Sequence, residues 1–324
     1  MRSAIAFCFT RSWSHLTIAA IVSALVAVGL GRGVAAAEQR VFAGPEEATT
    51  ALVDALTRSD TQLAEEILGP AGEKLLHSGD PVADRNAAQR FLRAYAKQHR
   101  LEYRGDRKAV LHVGAEDWPW PIPIMRNNGA WLFDSAAGAN EILNRRIGRN
   151  ELSTIQVCLA IVDAQREYAA TDHDGSGVRA FARRFMSTAG AKDGLYWPAD
   201  DGKESSPLGP LVARAVEEGY STSSTGKPVP YHGYFYRILT GQGEHAKGGA
   251  YDYLVDERMV GGFALVAYPA RYSVSGIMTF IVNHDGVVYQ KDLGENSPRS
   301  ARSMTTFDPD QTWSRVENPA KPRS

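Results

Sequence analysis

The chain has 324 residues, with 36 Lys and Arg against 37 Asp and Glu and a formal net charge of −1. That length supports one large or two ordinary domains with real cores, and the balanced charge leaves no basic footprint for nucleic acid.

Residues 1–37 read as a targeting segment. Arg2 and Arg11 form a basic start without an acid, Leu16–Leu30 is an apolar core, and AAAE at Ala35–Glu38 offers the small residues a signal peptidase reads. Cleavage after Ala37 is expected. The apolar run is shorter than the ~20 residues of a spanning helix. No paired arginine precedes that run, and Cys8 lies ahead of it, which favours general export without a lipid anchor. Removing three arginines and no acid leaves 287 residues with a net charge near −4. The expected location is the periplasm or the outside of the cell, away from the membrane. Cys158 is the one cysteine left, so there is no internal disulfide, and its apolar run IQVCLAIV marks a buried, inert thiol.

Residues 45–69 predict two short helices. PEEATTALVDALTRSD carries proline and two glutamates in its first turn, with Ala48, Leu52, Ala55 and Leu56 on its apolar side; TQLAEEILGP stops at Gly69-Pro70. A third helix, DPVADRNAAQRFLRAYAKQH, takes Asp80 as N-cap and Pro81 at its first position, with Val82, Phe91, Leu92 and Tyr95 as its stripe. KAVLHVG reads as a strand, and PIPIMRNNGAWLFD as a hairpin turning at Asn128-Gly129. Prolines at 119, 121 and 123 keep DWPWPIPI out of a central strand, so an edge or extended cover with Trp118 and Trp120 on the core is expected. Residues 38–135 thus form a small α+β domain.

A helical segment follows from about Ala136 to Ala170, with room for an interruption near Gly148. Leu152, Ile155, Leu159 and Val162 recur at helical spacing and predict one core-facing stripe. GVRAFARRFMS predicts a shorter helix, and another is expected around Leu208–Glu218. The end of the chain is β-rich: YHGYFYRILTG, MVGGFALVAYPA, GIMTFIVN and GVVYQKDL, the last two joined by the turn NHDG. Residues 136–324 therefore read as a long helix packed on a roughly four-stranded antiparallel sheet, and the whole chain as α+β. Over residues 150–293 this layout resembles the globular head of type IV pilins and pseudopilins. It departs from them in having a whole domain where a pilin's membrane-inserting stretch would begin.

Catalytic signatures fail on context. STGK at Ser224–Lys227 has the S-x-x-K spacing, but Gly226 and Pro228 forbid the helix that chemistry needs. No histidine pair has zinc-binding helical spacing. The richest cluster is YHGYFYRILTGQGEHAKGGAYDY, in which Tyr234, Tyr236 and Tyr251 could wall a ligand pocket and Glu244, His245 and Asp252 could serve acid–base chemistry. An ordinary long β-hairpin is the plainer reading of the same residues. TDHDGSGV places Asp172, Asp174 and Ser176 at calcium-loop positions 1, 3 and 5, but position 12 is Arg183 instead of a carboxylate. A turn closing the long helix is expected there, with no cofactor or metal required.

The strings EILNRRIGRNELSTIQVC, DAQREYAATDHDGSGV, DGLYWP, GYFYRILTGQG, GGAYDYLVDERMVGGFALVAYPA and GIMTFIVNHDGVVYQKDLG together resemble a bacterial family catalogued as domain of unknown function 2950. The resemblance implies an exported envelope protein and carries no reaction or site residues. The reading that follows is a non-enzymatic envelope module binding a protein, a cell-wall component or a small molecule. The alternative is a hydrolase or lyase working from the Gly/Tyr-rich loop at residues 231–253.

Overall fold

The computed structural model describes residues 39–198, 205–221 and 228–317. The expected export segment and the STGK string lie outside the described residues. Among those described, no helix is long and apolar enough to cross a membrane.

The fold is α+β. Its first layer is helical: α1 (Pro45–Thr57), α2 (Thr61–Leu68), α3 (Gly72–Leu76) and α4 (Pro81–Lys97). Asp60 caps α2 by accepting from Leu63 N at 3.0 Å, and Asp80 caps α4 by accepting from Val82 N and Ala83 N at 3.2 and 3.0 Å. These helices lie against an antiparallel sheet of β1 (His99–Tyr103), β2 (Lys108–Val113), β3 (Trp118–Pro119), β4 (Ile124–Asn127) and β5 (Ala130–Phe133), in the order β1-β2-β4-β5 with β3 beside β2. Asn128-Gly129 turns β4 into β5, with Asn127 opposite Ala130. The proline-rich run pairs with β2 at Trp118–Pro119, and Trp120 N donates to Leu111 O, but its last residue, Ile124, departs from the expectation by opening β4 between β2 and β5. Trp120 tucks between Phe91 and Phe133, at ring separations of 5.3 and 5.6 Å. Trp118 does not reach the core; it is 37% exposed, and the Arg145 guanidinium lies 5.2 Å from its ring.

Helix α5 (Ser135–Tyr168) runs without a break through Gly148. Its first turns pack on the first core beside Phe42, Leu52, Ile67, Ile124 and Phe133, and its last turns on a second core containing Cys158, Tyr234, Phe263 and Phe280. Between Asn140 and Ser153 only Ile147 is fully buried. This explains a departure from the expected stripe. Leu152 is 58% exposed, and the second core is met by Ile155, Cys158, Ile161, Val162 and Gln165. Leu152 falls on the turn that bridges the two cores, where Glu151 is the residue that meets the sheet, accepting from Ile277 N and Met278 N.

The expected helix at residues 177–187 is not formed. Phe181 N instead donates to Met259 O, Ser187 N donates to Tyr196 O, and the buried Gln165 amide makes both hydrogen bonds to the Ala182 backbone at 2.8 Å. Partners remote in sequence thus take the donors and acceptors a helix would use. Helix α6 (Gly209–Glu217) follows as expected. The remaining strands are β6 (Tyr234–Leu239), β7 (Gly241–Gln242), β8 (Tyr251–Asp252), β9 (Leu254–Val255), β10 (Arg258–Met259), β11 (Ala264–Pro269), β12 (Met278–Asn283), β13 (Tyr289–Asp292), β14 (Thr306–Phe307) and β15 (Ser314–Arg315), with α7 (Ser297–Ser303) before β14. The main sheet has five strands instead of four, in the order β15-β13-β12-β11-β6. β11 is buried at all six residues, with α5 lying across β11 and β12. β6 pairs with β11, and the Gly/Tyr-rich segment keeps only a short hairpin, β7 with β8, of the long one expected.

Candidate functional site

The two cores meet at Asp80. Its carboxylate is fully buried and takes two donors from its own helix, plus Tyr220 Oη at 2.8 Å and Gly233 N at 2.8 Å from the far side. Gly233 can point its N–H there because it adopts a φ of 75°; a Cβ at this position would lie 2.6 Å from Asn150 Nδ2. Further ties cross the junction. Arg271 pairs with Glu73 at 2.7 Å and donates to His77 O, while Arg146 donates to Lys74 O at 2.9 Å and to Leu75 O. Asn150 donates to Ser275 O at 2.9 Å.

Next to this hub opens a cavity of about 400 Å³, walled by α4, by the middle of α5 and by the segment around Glu218, Tyr220 and His232. Arg146, Arg149, Asn150 and Ser153 line it from one face of α5, and Asp84, Asn86 and Arg90 from α4. His232 has a φ of 51°, and its Nε2 lies 3.5 Å from Glu218 Oε2. Burial holds the His232 imidazole below its ordinary pKa, against the opposing pull of Glu218 and Asp80. Burial likewise raises Asp84, although its carboxylate accepts from Ser78 N. It also lowers Arg90 and Arg146, and Arg149 repels both. The Tyr220 phenol is pushed up by burial and by Asp80, so it remains a donor.

Of the other concavities, a cleft of about 560 Å³ holds His173, Asp174, Arg183, Asp193, Glu257 and Arg258, but its charges are spent on one another, Arg183 with Glu257 and Arg258 with Asp174. A groove of about 770 Å³ beside Gln39 and the start of α5 holds Lys74, Arg126 and Asp134 among apolar and amide groups. A second space of about 360 Å³ is walled largely by Leu56, Leu76, Leu92 and alanines.

The residues expected from the sequence to form a site are not brought together. His245 pairs with Asp308 at 3.0 Å, which raises its pKa, and its backbone N–H donates to the same carboxylate. Asp252 accepts from Leu254 N, and Glu244 is exposed. Tyr234 is fully buried in the core with its hydroxyl on Met278 O, and Tyr236 packs against that core with its hydroxyl 3.3 Å from Tyr231 O and 3.3 Å from Thr154 Oγ1. Tyr251 alone of the three is exposed, at 39%. At the calcium-like loop, Asp172 accepts from Asp174 N and Gly177 N, Asp174 accepts from Ser176 N and Arg258, and Ser176 Oγ accepts from Val178 N. Those oxygens serve the turn's own amides, and Arg183 pairs with Glu257. Among the described residues, no group of three or more His, Cys, Asp or Glu is placed to hold a metal.

Sequence reasoning found Asp80 as a cap but missed the cavity around it. One signal was present: Arg146, Arg149, Asn150 and Ser153 share a helical face at spacings of 3, 1 and 3. Such a face normally reads as solvated.

A family model described as "Protein of unknown function (DUF2950)" matches residues 39–316. No curated protein and no solved structure matches the chain.

Proposed function

The chain belongs to the DUF2950 family, and from that footing we propose a non-enzymatic binding module, exported to a bacterial envelope, that holds a small polar ligand in the cavity between its two cores. One observation carries this reading. The cavity is about 400 Å³, within the usual range for small-molecule sites, and three of its lining side chains have hydrogen-bonding capacity left over. Arg90, Arg149 and Ser153 have neither a hydrogen-bond nor an ion-pair partner among the described residues. Asp80, Asn86, Asn150 and Tyr220, by contrast, are tied into fixed contacts that shape the walls. Pre-set walls with unspent donors suit binding. The residues first considered for acid–base chemistry are dispersed. The export part of the reading rests on the sequence pattern of residues 1–37. The likeness to a pilin head enters as layout alone, a long helix over an antiparallel sheet.

A thermal-shift panel of sugars, dipeptides, organic acids and phosphorylated metabolites tests the proposal. Binding should raise the wild-type Tm by mass action. The same compounds should fail to shift Ser153→Phe, which places a ring in the cavity. Shifts that persist in Ser153→Phe would place the ligand elsewhere and contradict the reading.

A further inference from the structure

Resting on the junction cavity as the binding site, we propose that its ligand bears an oxyanion, a carboxylate or a phosphate group, held by Arg90, Arg146 and Arg149. Three guanidinium groups from two helices line one cavity, and no carboxylate lies within ion-pair distance of any of them among the described residues. The acids that share the cavity are engaged elsewhere. Glu218 faces Arg214 at 3.3 Å and His232 at 3.5 Å, and Asp84 accepts from Ser78 N at 2.9 Å. Arg146 spends donors on Lys74 O and Leu75 O, contacts that fix its position without neutralising its charge. The result is a pocket with a local excess of positive charge, partly withdrawn from water, where Asp84 attracts Arg146 but Arg149 repels both Arg90 and Arg146. An oxyanion relieves that repulsion and takes up the planar, forked donors of Arg90 and Arg149, which a neutral ligand would leave unused. The cavity is larger than an oxyanion alone requires. The rest of the ligand therefore meets Asn86, Ser153 and His232 on the same walls. The field is local, because the chain as a whole is slightly acidic, with a net charge of −1.

Calorimetric titration of the exported chain with inorganic phosphate and with citrate, at constant ionic strength, tests the inference. Saturable binding of at least one anion is expected, and the tighter of the two separates a phosphate from a carboxylate ligand. Arg90→Gln and Arg149→Gln, both at residues outside the two cores, should each weaken it about tenfold. Circular dichroism checks that both variants fold. Unchanged affinity in both variants would overturn the inference. If neither anion binds while an uncharged compound shifts the wild type and not Ser153→Phe, the oxyanion assignment falls and the cavity stands. If no compound depends on Ser153, Arg90 or Arg149, both fall.

Discussion

Asp80 is the residue on which the junction depends. Its two oxygens accept four donors, two from α4 and two from the other side of the junction, and it has no exposed surface. Removing the carboxylate strands all four donors in a dry site, so Asp80→Ala should cost about 3–5 kcal/mol in urea unfolding. Tyr220→Phe removes one donor and leaves the other three, so it should cost about 1–1.5 kcal/mol. His232 gives the same region a pH dependence. Burial lowers its pKa in the folded state, so between that lowered value and the ordinary 6.5 the unfolded chain binds more protons. Stability should therefore fall as the pH drops through this window. His232→Asn should flatten that slope, since asparagine tolerates the φ of 51° found here; an unchanged slope would assign the dependence to other groups. Cys158 is fully buried, with its thiol pushed far up by desolvation. A thiol reagent should label it only in denaturant, and rapid labelling of the native chain would contradict its burial.

At the scale of elements, α5 serves both cores, and its two ends do so by different means. Near its start it approaches backbone: a Cβ on Gly138 would lie 2.4 Å from Pro121 O. Gly138→Ala should cost about 2 kcal/mol or more, despite alanine's better helix propensity. Further along, Ile161 is buried and Leu152 is not, so Ile161→Ala should cost about 2–4 kcal/mol and Leu152→Ala under about 0.5 kcal/mol, read from urea midpoints. The elements differ in what was legible in advance. Asp80-Pro81 and Asn128-Gly129 could be read because a cap and a two-residue turn depend only on neighbours in sequence. The extended run at 179–187 could not, because its conformation is set by Gln165, Tyr196 and Met259. Leu152 fitted the apolar period, but periodicity does not say where along a long helix the core stops.

For the molecule as a whole, the cavity exists because two cores share one long helix and meet around the buried Asp80 carboxylate and the Arg271–Glu73 pair. No one segment announces it. Arg90 reads alone as the solvated face of one helix, Arg146 and Arg149 as that of another, and Tyr220 and His232 as loop residues between elements. Only the fold, which sets α4 and the middle of α5 around one cavity, makes them one surface, whereas the Gly/Tyr-rich loop, conspicuous in sequence, spends Tyr234 and Tyr236 on the core and Asp252 on a local contact. The central claim is that the junction, and not that loop, holds the ligand. Amide chemical-shift mapping of the chain during titration with the tighter-binding anion tests it directly. The account predicts perturbations centred on Asn86, Arg90, Arg149, Ser153 and His232. Perturbations centred on residues 241–261, with the junction amides unmoved, would contradict it.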